Sequence, residues 1–171
     1  MKAVIFAGGL GTRLSEETLK TPKPMVPIAG KPIIMHVMEI YASFGIKEFV
    51  ILLGYKGEEI KKYFKNLQLL SSDMSIDFSC NQIDYFQSSS LDWKVNLIDT
   101  GQLTMTGCRL FKAKRFLDSD DFLLTYGDGL ANVNITKLIE FHKNHRKIVT
   151  MTSVQPDGRF GSFESNKKGQ I

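Results

Sequence analysis

Ala3-Val4-Ile5-Phe6-Ala7 runs directly into Gly8-Gly9-Leu10-Gly11-Thr12-Arg13-Leu14, and the reading of this stretch decides the fold. An apolar run closed by glycine predicts a short buried strand. Gly8, Gly9 and Gly11 let a ligand approach the backbone closely, and with Arg13 they predict a cradle of amides for phosphate oxygens. Two familiar phosphate loops are excluded. Leu14 stands where the third glycine of a dinucleotide-binding turn belongs, and no Gly-Lys-Ser/Thr follows for a P-loop. Downstream, Pro22, Pro24 and Pro27 argue against a helix over residues 21–27, because each lacks an N–H and biases its predecessor toward extended backbone. The stretch therefore reads as a strand followed by a long, proline-stiffened loop carrying Arg13 and Lys23.

Working outward, Pro32 to Tyr41 has helical spacing, with a proline tolerated at its start and Gly45 as its stop. Lys47 to Leu53 reads as a buried strand and Gly57 to Phe64 as an amphipathic helix. From Leu67 to Thr104 the pattern is less regular. It holds strand candidates at Ile76–Cys80 and Val95–Asp99 around the polar Gln87–Ser90, and reads as a surface loop or small hairpin. Met105 to Leu117 suits a helix interrupted by Gly107. Asp121 to Tyr126 suits a strand, Ile135 to His145 a helix and Ile148 to Val154 another strand. Strand and helix alternate, which predicts an α/β fold around a parallel sheet.

A chain of 171 residues, 43% hydrophobic, suits one domain with a substantial core. A net charge of +4 does not call for a nucleic-acid partner, although it favours a phosphorylated small molecule. Cys80 and Cys108 are too few for a disulfide framework and read as buried thiols. Neither a signal sequence nor a run of roughly 20 apolar residues is present, so the chain reads as cytoplasmic and off the membrane.

If the strands ending at Ala7 and Tyr126 are parallel, they deliver the glycine loop and Gly127-Asp128-Gly129 to one sheet edge, where open α/β folds bind ligands. Magnesium usually takes few protein carboxylates and completes its shell with water and phosphate oxygens, so Asp128 is a candidate ligand. The plainer reading of Asp128 is a turn aspartate between glycines, and that of Arg13 and Lys23 is solvated loop charge. His142 and His145 could pair on a metal, but Lys143, Arg146 and Lys147 around them favour a solvated helix end. His36 suits the core or its boundary. Trp93 and Tyr85 suit packing more than a sugar pocket.

Phe6 to Leu14, followed by Thr21-Pro22-Lys23-Pro24-Met25-Val26-Pro27, resembles the paired signature of sugar-1-phosphate nucleotidyltransferases. Asp99-Thr100-Gly101, Met105 to Leu110 and Thr125 to Gly129 resemble the branch that acts on glucose 1-phosphate with CTP, the glucose-1-phosphate cytidylyltransferases. Cys108 and Thr21 differ from that pattern. The resemblance covers the whole chain and implies a Rossmann-like three-layer nucleotidyltransferase fold with a mostly parallel central sheet, its C-terminal part missing. It implies that Phe6, Ala7, Gly8, Gly9, Leu10, Gly11, Thr12, Arg13, Lys23, Thr104, Arg109, Gly127 and Asp128 bind substrate. Arg13, Lys23 and Asp128 would be catalytic, and Asp128 would hold Mg2+.

The implied products are CDP-glucose, a nucleotide sugar for deoxysugar synthesis in lipopolysaccharide O-antigen, and pyrophosphate. A homo-oligomer is implied as well. The same reaction with dTTP, UTP or another sugar 1-phosphate, and a non-catalytic nucleotide-binding module, stay open as alternatives. Phe160 to Ser165 reads as a strand and Asn166 to Gly169 as a turn, but only Gln170 and Ile171 remain to return. Gly158-Arg159-Phe160-Gly161 resembles the family segment before a Glu-Lys-Pro that contacts the sugar phosphate. The expectation is that residues 1–171 form the N-terminal part of a longer enzyme.

Overall fold

The computed structural model describes residues 1–9, 21–86, 91–117 and 121–154. Strand β1 (Lys2–Ala7) is the one expected. The proline segment then makes one 3-10 turn, Lys23–Met25, where the sequence argued against any helix. It forms because the prolines fall where no N–H is required: Met25 donates to the Pro22 carbonyl at 2.8 Å and Val26 to that of Lys23 at 3.2 Å. Strands β2 (Pro27–Ile28) and β3 (Lys31–Pro32) make a small antiparallel pair. Helix α1 (Ile33–Ser43) starts after Pro32 and stops at Gly45, whose φ of +82° suits a residue without Cβ.

Strand β4 (Glu48–Leu53), helix α2 (Gly57–Lys65) and a short helix α3 (Leu67–Ser71) follow. The irregular stretch contains a hairpin of β5 (Asp73–Asp77) and β6 (Gln82–Phe86). The strand expected at Ile76–Cys80 is thus displaced. Asp77 Oδ1 accepts from the Ser79 amide at 2.8 Å and its hydroxyl at 2.6 Å, which turns the chain before Cys80. Strand β7 (Lys94–Asp99) is no part of a surface loop, for it pairs with β4 in the central sheet. Gln87–Ser90 lies outside the described residues.

Helix α4 (Thr106–Lys112) contains Gly107 without interruption, because that glycine falls in the first turn, and a 3-10 turn, Lys114–Phe116, continues it. Strand β8 (Phe122–Tyr126) and helix α5 (Ile135–His145) match expectation. Cys80 and Cys108 are exposed, not buried, Cys80 in the hairpin turn and Cys108 on an outer face of α4. Ile148–Val154 forms no strand. Ile148 is 98% exposed, and a strand exists only where a neighbour completes its ladder. Residues 155–171, with the expected terminal strand and turn, lie outside the described residues.

The central sheet has the order β7-β4-β1-β8, and all of its pairings are parallel. Its two faces are distinguished by residue parity. Val4, Val50 and Leu52 form one core cluster with Ala113 and Leu117, so the α4 segment covers that face. On the other, Thr125 stands in register with Ile5, and the Tyr41 phenol of α1 hydrogen-bonds to Thr125. Burial pushes the Tyr41 hydroxyl above its ordinary pKa, with the Thr125 hydrogen bond opposing it. Helices on both faces make the three layers implied by the resemblance. Trp93 packs edge-on against Phe49 at 5.4 Å, as packing, while Tyr85 lies exposed on the hairpin.

The described residues fall into two compact units, one over residues 1–133 and one beginning at Asn134. In the second, Asn134 caps α5 by accepting from the Lys137 amide at 2.9 Å. Nδ1 of His142 and Nε2 of His145 each lie 2.7 Å from the Thr150 hydroxyl. These histidines tie the C-terminal turn of α5 to the segment that follows it. No cluster of three or more metal-ligating side chains occurs among the described residues, and no described helix is long and apolar enough to cross a membrane.

Candidate active site

Four parallel strands run out at one edge, and each hands over to a residue type suited to ligand work. β1 is followed by Gly8 and Gly9, β4 by Gly54, β7 by Thr100 and Gly101, and β8 by Gly127 and Asp128. The chain fills the sheet outward from β1 to β4 and β7, then crosses back to place β8 on the other side of β1. Such a reversal opens a crevice at the strand ends.

Asp128 stands at that crevice. The Gly127 amide donates to the Phe6 carbonyl at 2.9 Å, extending the ladder one residue past β8 and bringing Asp128 beside the start of the glycine loop. A Cβ at Gly127 would come within 3.2 Å of that same carbonyl. Lys23 reaches in from the 3-10 turn, and its Nζ lies 2.5 Å from Asp128 Oδ2. Pro22 and Pro24, both buried, hold that turn, so the lysine starts from a rigid base. The two side chains are 31% and 28% exposed, sheltered yet open to a ligand. The pair thus joins the proline loop to the end of β8 by a charge-assisted hydrogen bond.

Arg109, which the resemblance implies as a substrate-binding residue, sits beneath the glycine loop. It is 4% exposed, and its guanidinium is committed to the protein's own oxygens. Nη1 donates to the Leu53 carbonyl (2.9 Å), the Thr100 hydroxyl (2.6 Å) and the Gly101 carbonyl (2.8 Å). Nη2 donates to the Gly8 carbonyl (2.9 Å) and the Gln102 carbonyl (3.1 Å). These acceptors are neutral. Burial lowers the Arg109 pKa from its ordinary value, while Asp99 acts through space to raise it. An arginine still stays charged in a protein, so the positive charge persists beneath the loop. Thr100 is itself buried, and its hydroxyl donates to the Leu53 carbonyl at 2.6 Å. Thr100→Val is expected to cost about 1–3 kcal/mol of stability in chemical denaturation, because it removes that buried donor and one of the three oxygens that share the two Nη1 hydrogens of Arg109.

Of the other expected site residues, Phe6 is partly buried against the core cluster with its ring 5.3 Å from that of Tyr126, and Ala7 is buried. Thr104 donates to the Thr100 carbonyl at 2.6 Å. Leu10, Gly11, Thr12 and Arg13 lie outside the described residues. His36 is a boundary residue, its Nε2 lying 2.9 Å from the Ile28 carbonyl. Sequence reasoning missed Gly54 and Lys112. The Lys112 ammonium donates to the Thr100 carbonyl at 2.8 Å and to Thr104 Oγ1 at 3.2 Å. Its spacing of three from Arg109, on one helix face, was the available signal.

The nucleotidyl transferase family model matches residues 2–171. Among curated proteins the chain is 49% identical over 172 residues to glucose-1-phosphate cytidylyltransferase of Salmonella typhimurium, covering 100% of this chain and 66% of that protein. It is 43% identical to a probable glucose-1-phosphate cytidylyltransferase of Bacillus subtilis, covering 95% and 64%. Among solved structures, HddC from Yersinia pseudotuberculosis, complexed with GMP-PN, matches with a TM-score of 0.62 at 27% identity, over 82% of this chain and 53% of that one. A UDP-glucose pyrophosphorylase complexed with UDP-glucose shares the fold at 18% identity and a TM-score of 0.61, over 85% and 54%. The chain therefore spans about two thirds or less of the length of these relatives. A three-layer parallel sheet with a glycine turn and a Lys–Asp pair at its crossover, together with a family match that runs from the second residue to the last, places this chain in the nucleotidyl transferase family.

Proposed function

We propose that this chain carries the nucleotide-handling part of a glucose-1-phosphate cytidylyltransferase. The observation that carries the reading is the Lys23–Asp128 pair at the crossover between β1 and β8, next to Gly8 and Gly9. The choice of cytidine and glucose rests on the identity to relatives bearing that name. A phosphate oxygen of α-D-glucose 1-phosphate attacks the α-phosphorus of CTP in line. The bond to the bridging oxygen breaks and pyrophosphate leaves, giving CDP-glucose.

The residues suit Mg2+. One partly exposed carboxylate at a strand end leaves room for the water and phosphate oxygens that this ion prefers. Asp128 would hold it, and the ion would neutralise charge on the triphosphate. Lys23, and Arg13 from the loop, neutralise phosphate oxygens; preorganised cations of this kind contribute several kcal/mol to transition-state stabilisation. Backbone amides of Gly8 and Gly9 orient the nucleotide. The same reading makes the protein a cytoplasmic homo-oligomer supplying CDP-glucose to deoxysugar synthesis for O-antigen.

The test is pyrophosphate release by the full chain with each of CTP, dTTP, UTP and GTP against glucose 1-phosphate. CTP is expected to be fastest. A faster rate with another nucleotide changes the base assignment. No release with any nucleotide and any sugar 1-phosphate overturns the reading in favour of a binding module.

A further inference from the structure

Arg109 lies 101 positions from Gly8 in sequence, yet its guanidinium occupies a slot between the Cα atoms of Gly8 and Gly54. The slot exists only because both residues lack side chains. A Cβ on Gly8 would come within 2.5 Å of Arg109 Cζ. One on Gly54 would come within 2.5 Å of Nη1 and 2.7 Å of the Gly8 carbonyl oxygen. The flexible arginine could retreat from such a methyl group, but the Gly8 backbone could do so only by moving the loop.

The consequence for the loop follows from peptide geometry. The Gly8 carbonyl and the Gly9 N–H belong to one planar unit, and no described peptide bond is cis, so the two bonds point in opposite directions. With the carbonyl held by Nη2 on the buried side, the Gly9 N–H is aimed the other way. Gly8 is buried and Gly9 is exposed, in accord with that orientation. The five acceptors around the guanidinium are neutral, so its charge reinforces the positive end of the peptide dipole.

We propose that Arg109, seated in the slot that Gly54 leaves open, is a positioning residue that fixes the Gly8–Gly9 peptide so that the Gly9 amide faces a phosphate oxygen of the nucleotide. This rests on the reading of the glycine loop as the triphosphate site. Arg109 acts through the loop, and Gly54 acts through Arg109. Lysine cannot replace the arginine, because a single ammonium cannot serve the forked set of acceptors on three strand ends.

The experiment compares Gly54→Ala and Arg109→Lys with the unaltered full chain. Calorimetry gives the dissociation constant for inorganic tripolyphosphate, a probe without base or sugar, and turnover gives KM for CTP and for glucose 1-phosphate. Both variants are expected to weaken tripolyphosphate binding and raise the CTP KM together by roughly tenfold or more, the effect of losing a charge-assisted positioning contact. KM for glucose 1-phosphate should stay within about twofold. A structural role alone would lower the melting temperature and the active fraction but leave KM and tripolyphosphate affinity unchanged, and that result overturns the proposal. So does unchanged tripolyphosphate binding with lost discrimination among bases, which would make Arg109 a direct reader of the base. If one variant fails to fold, the other decides. If the unaltered chain releases no pyrophosphate but both variants still lose tripolyphosphate affinity, the transfer reading fails and the positioning role stands. An unaltered chain that binds no tripolyphosphate overturns the positioning role.

Discussion

Asp128→Asn is expected to reduce pyrophosphate release from CTP and glucose 1-phosphate by about three orders of magnitude while leaving the fold intact. The amide keeps the shape of the carboxylate but loses the charge, so it is a poor Mg2+ ligand and no counter-ion for Lys23. The fold should survive because the Lys23–Asp128 pair is nearly one third exposed. Partly solvated pairs contribute less than about 1 kcal/mol, and circular dichroism should show a melting curve close to the unaltered one. The half-saturating Mg2+ concentration should rise in the variant. Activity within tenfold of the unaltered protein would remove Asp128 from the metal site. Lys23→Met should cost roughly a hundredfold in turnover, and the double variant should fall short of the product of the two, because each acts on the same phosphates.

Phe49→Ala should have the largest effect on stability, about 3–5 kcal/mol in denaturant unfolding. Phe49 is 0% exposed on β4, in register with Ala3 on one side and Val95 on the other. Its ring meets Trp93 edge-on, a contact worth something beyond area alone. Strands on both sides hydrogen-bond to β4, so the backbone has little freedom to collapse into the space left by the ring. Domains of this kind are stable by only about 5–15 kcal/mol in total. Phe111→Ala is the control. Phe111 is 75% exposed on α4, and its loss should change stability by less than about 0.5 kcal/mol. Equal effects at the two positions would contradict the core assignment.

The parts of the fold that were legible in sequence are those whose evidence is local. The apolar run of β1, the stop at Gly45 and the periodicity of α2 each sit within a few residues of what they specify. Pairing is not local. Val95–Asp99 was read as a strand in nearly the right place, but nothing along the chain says that its partner is β4, 46 residues earlier at Glu48↔Lys94. The strand expected at Ile76–Cys80 lies three residues earlier, at Asp73–Asp77, because the turn that ends it depends on an Asp77 side-chain contact, and the cysteines proved exposed because hydrophobic residue type is only a tendency toward burial. Lys23 and Asp128, singled out in sequence beside prolines and glycines that constrain the backbone, are brought together in the structure as an ion pair. The seating of Arg109 and the slot at Gly54 were not legible for one reason: an arginine that binds carbonyls on three strand ends leaves no periodic trace in the sequence.

The sheet order also bears on how the chain is made. β1 leaves the ribosome before the other strands of its sheet, yet it lies between β4 and β8, paired with Glu48 on one flank and Phe122 on the other at Lys2. Until residues 122–126 emerge, one edge of this apolar strand lacks its β8 neighbour. At ordinary translation rates that interval is on the order of ten seconds, far longer than the microseconds in which a chain collapses. Nascent chains that stall before β8 should therefore be the aggregation-prone species, and substitutions that slow synthesis between β7 and β8 should lower soluble yield without altering the stability of the finished protein.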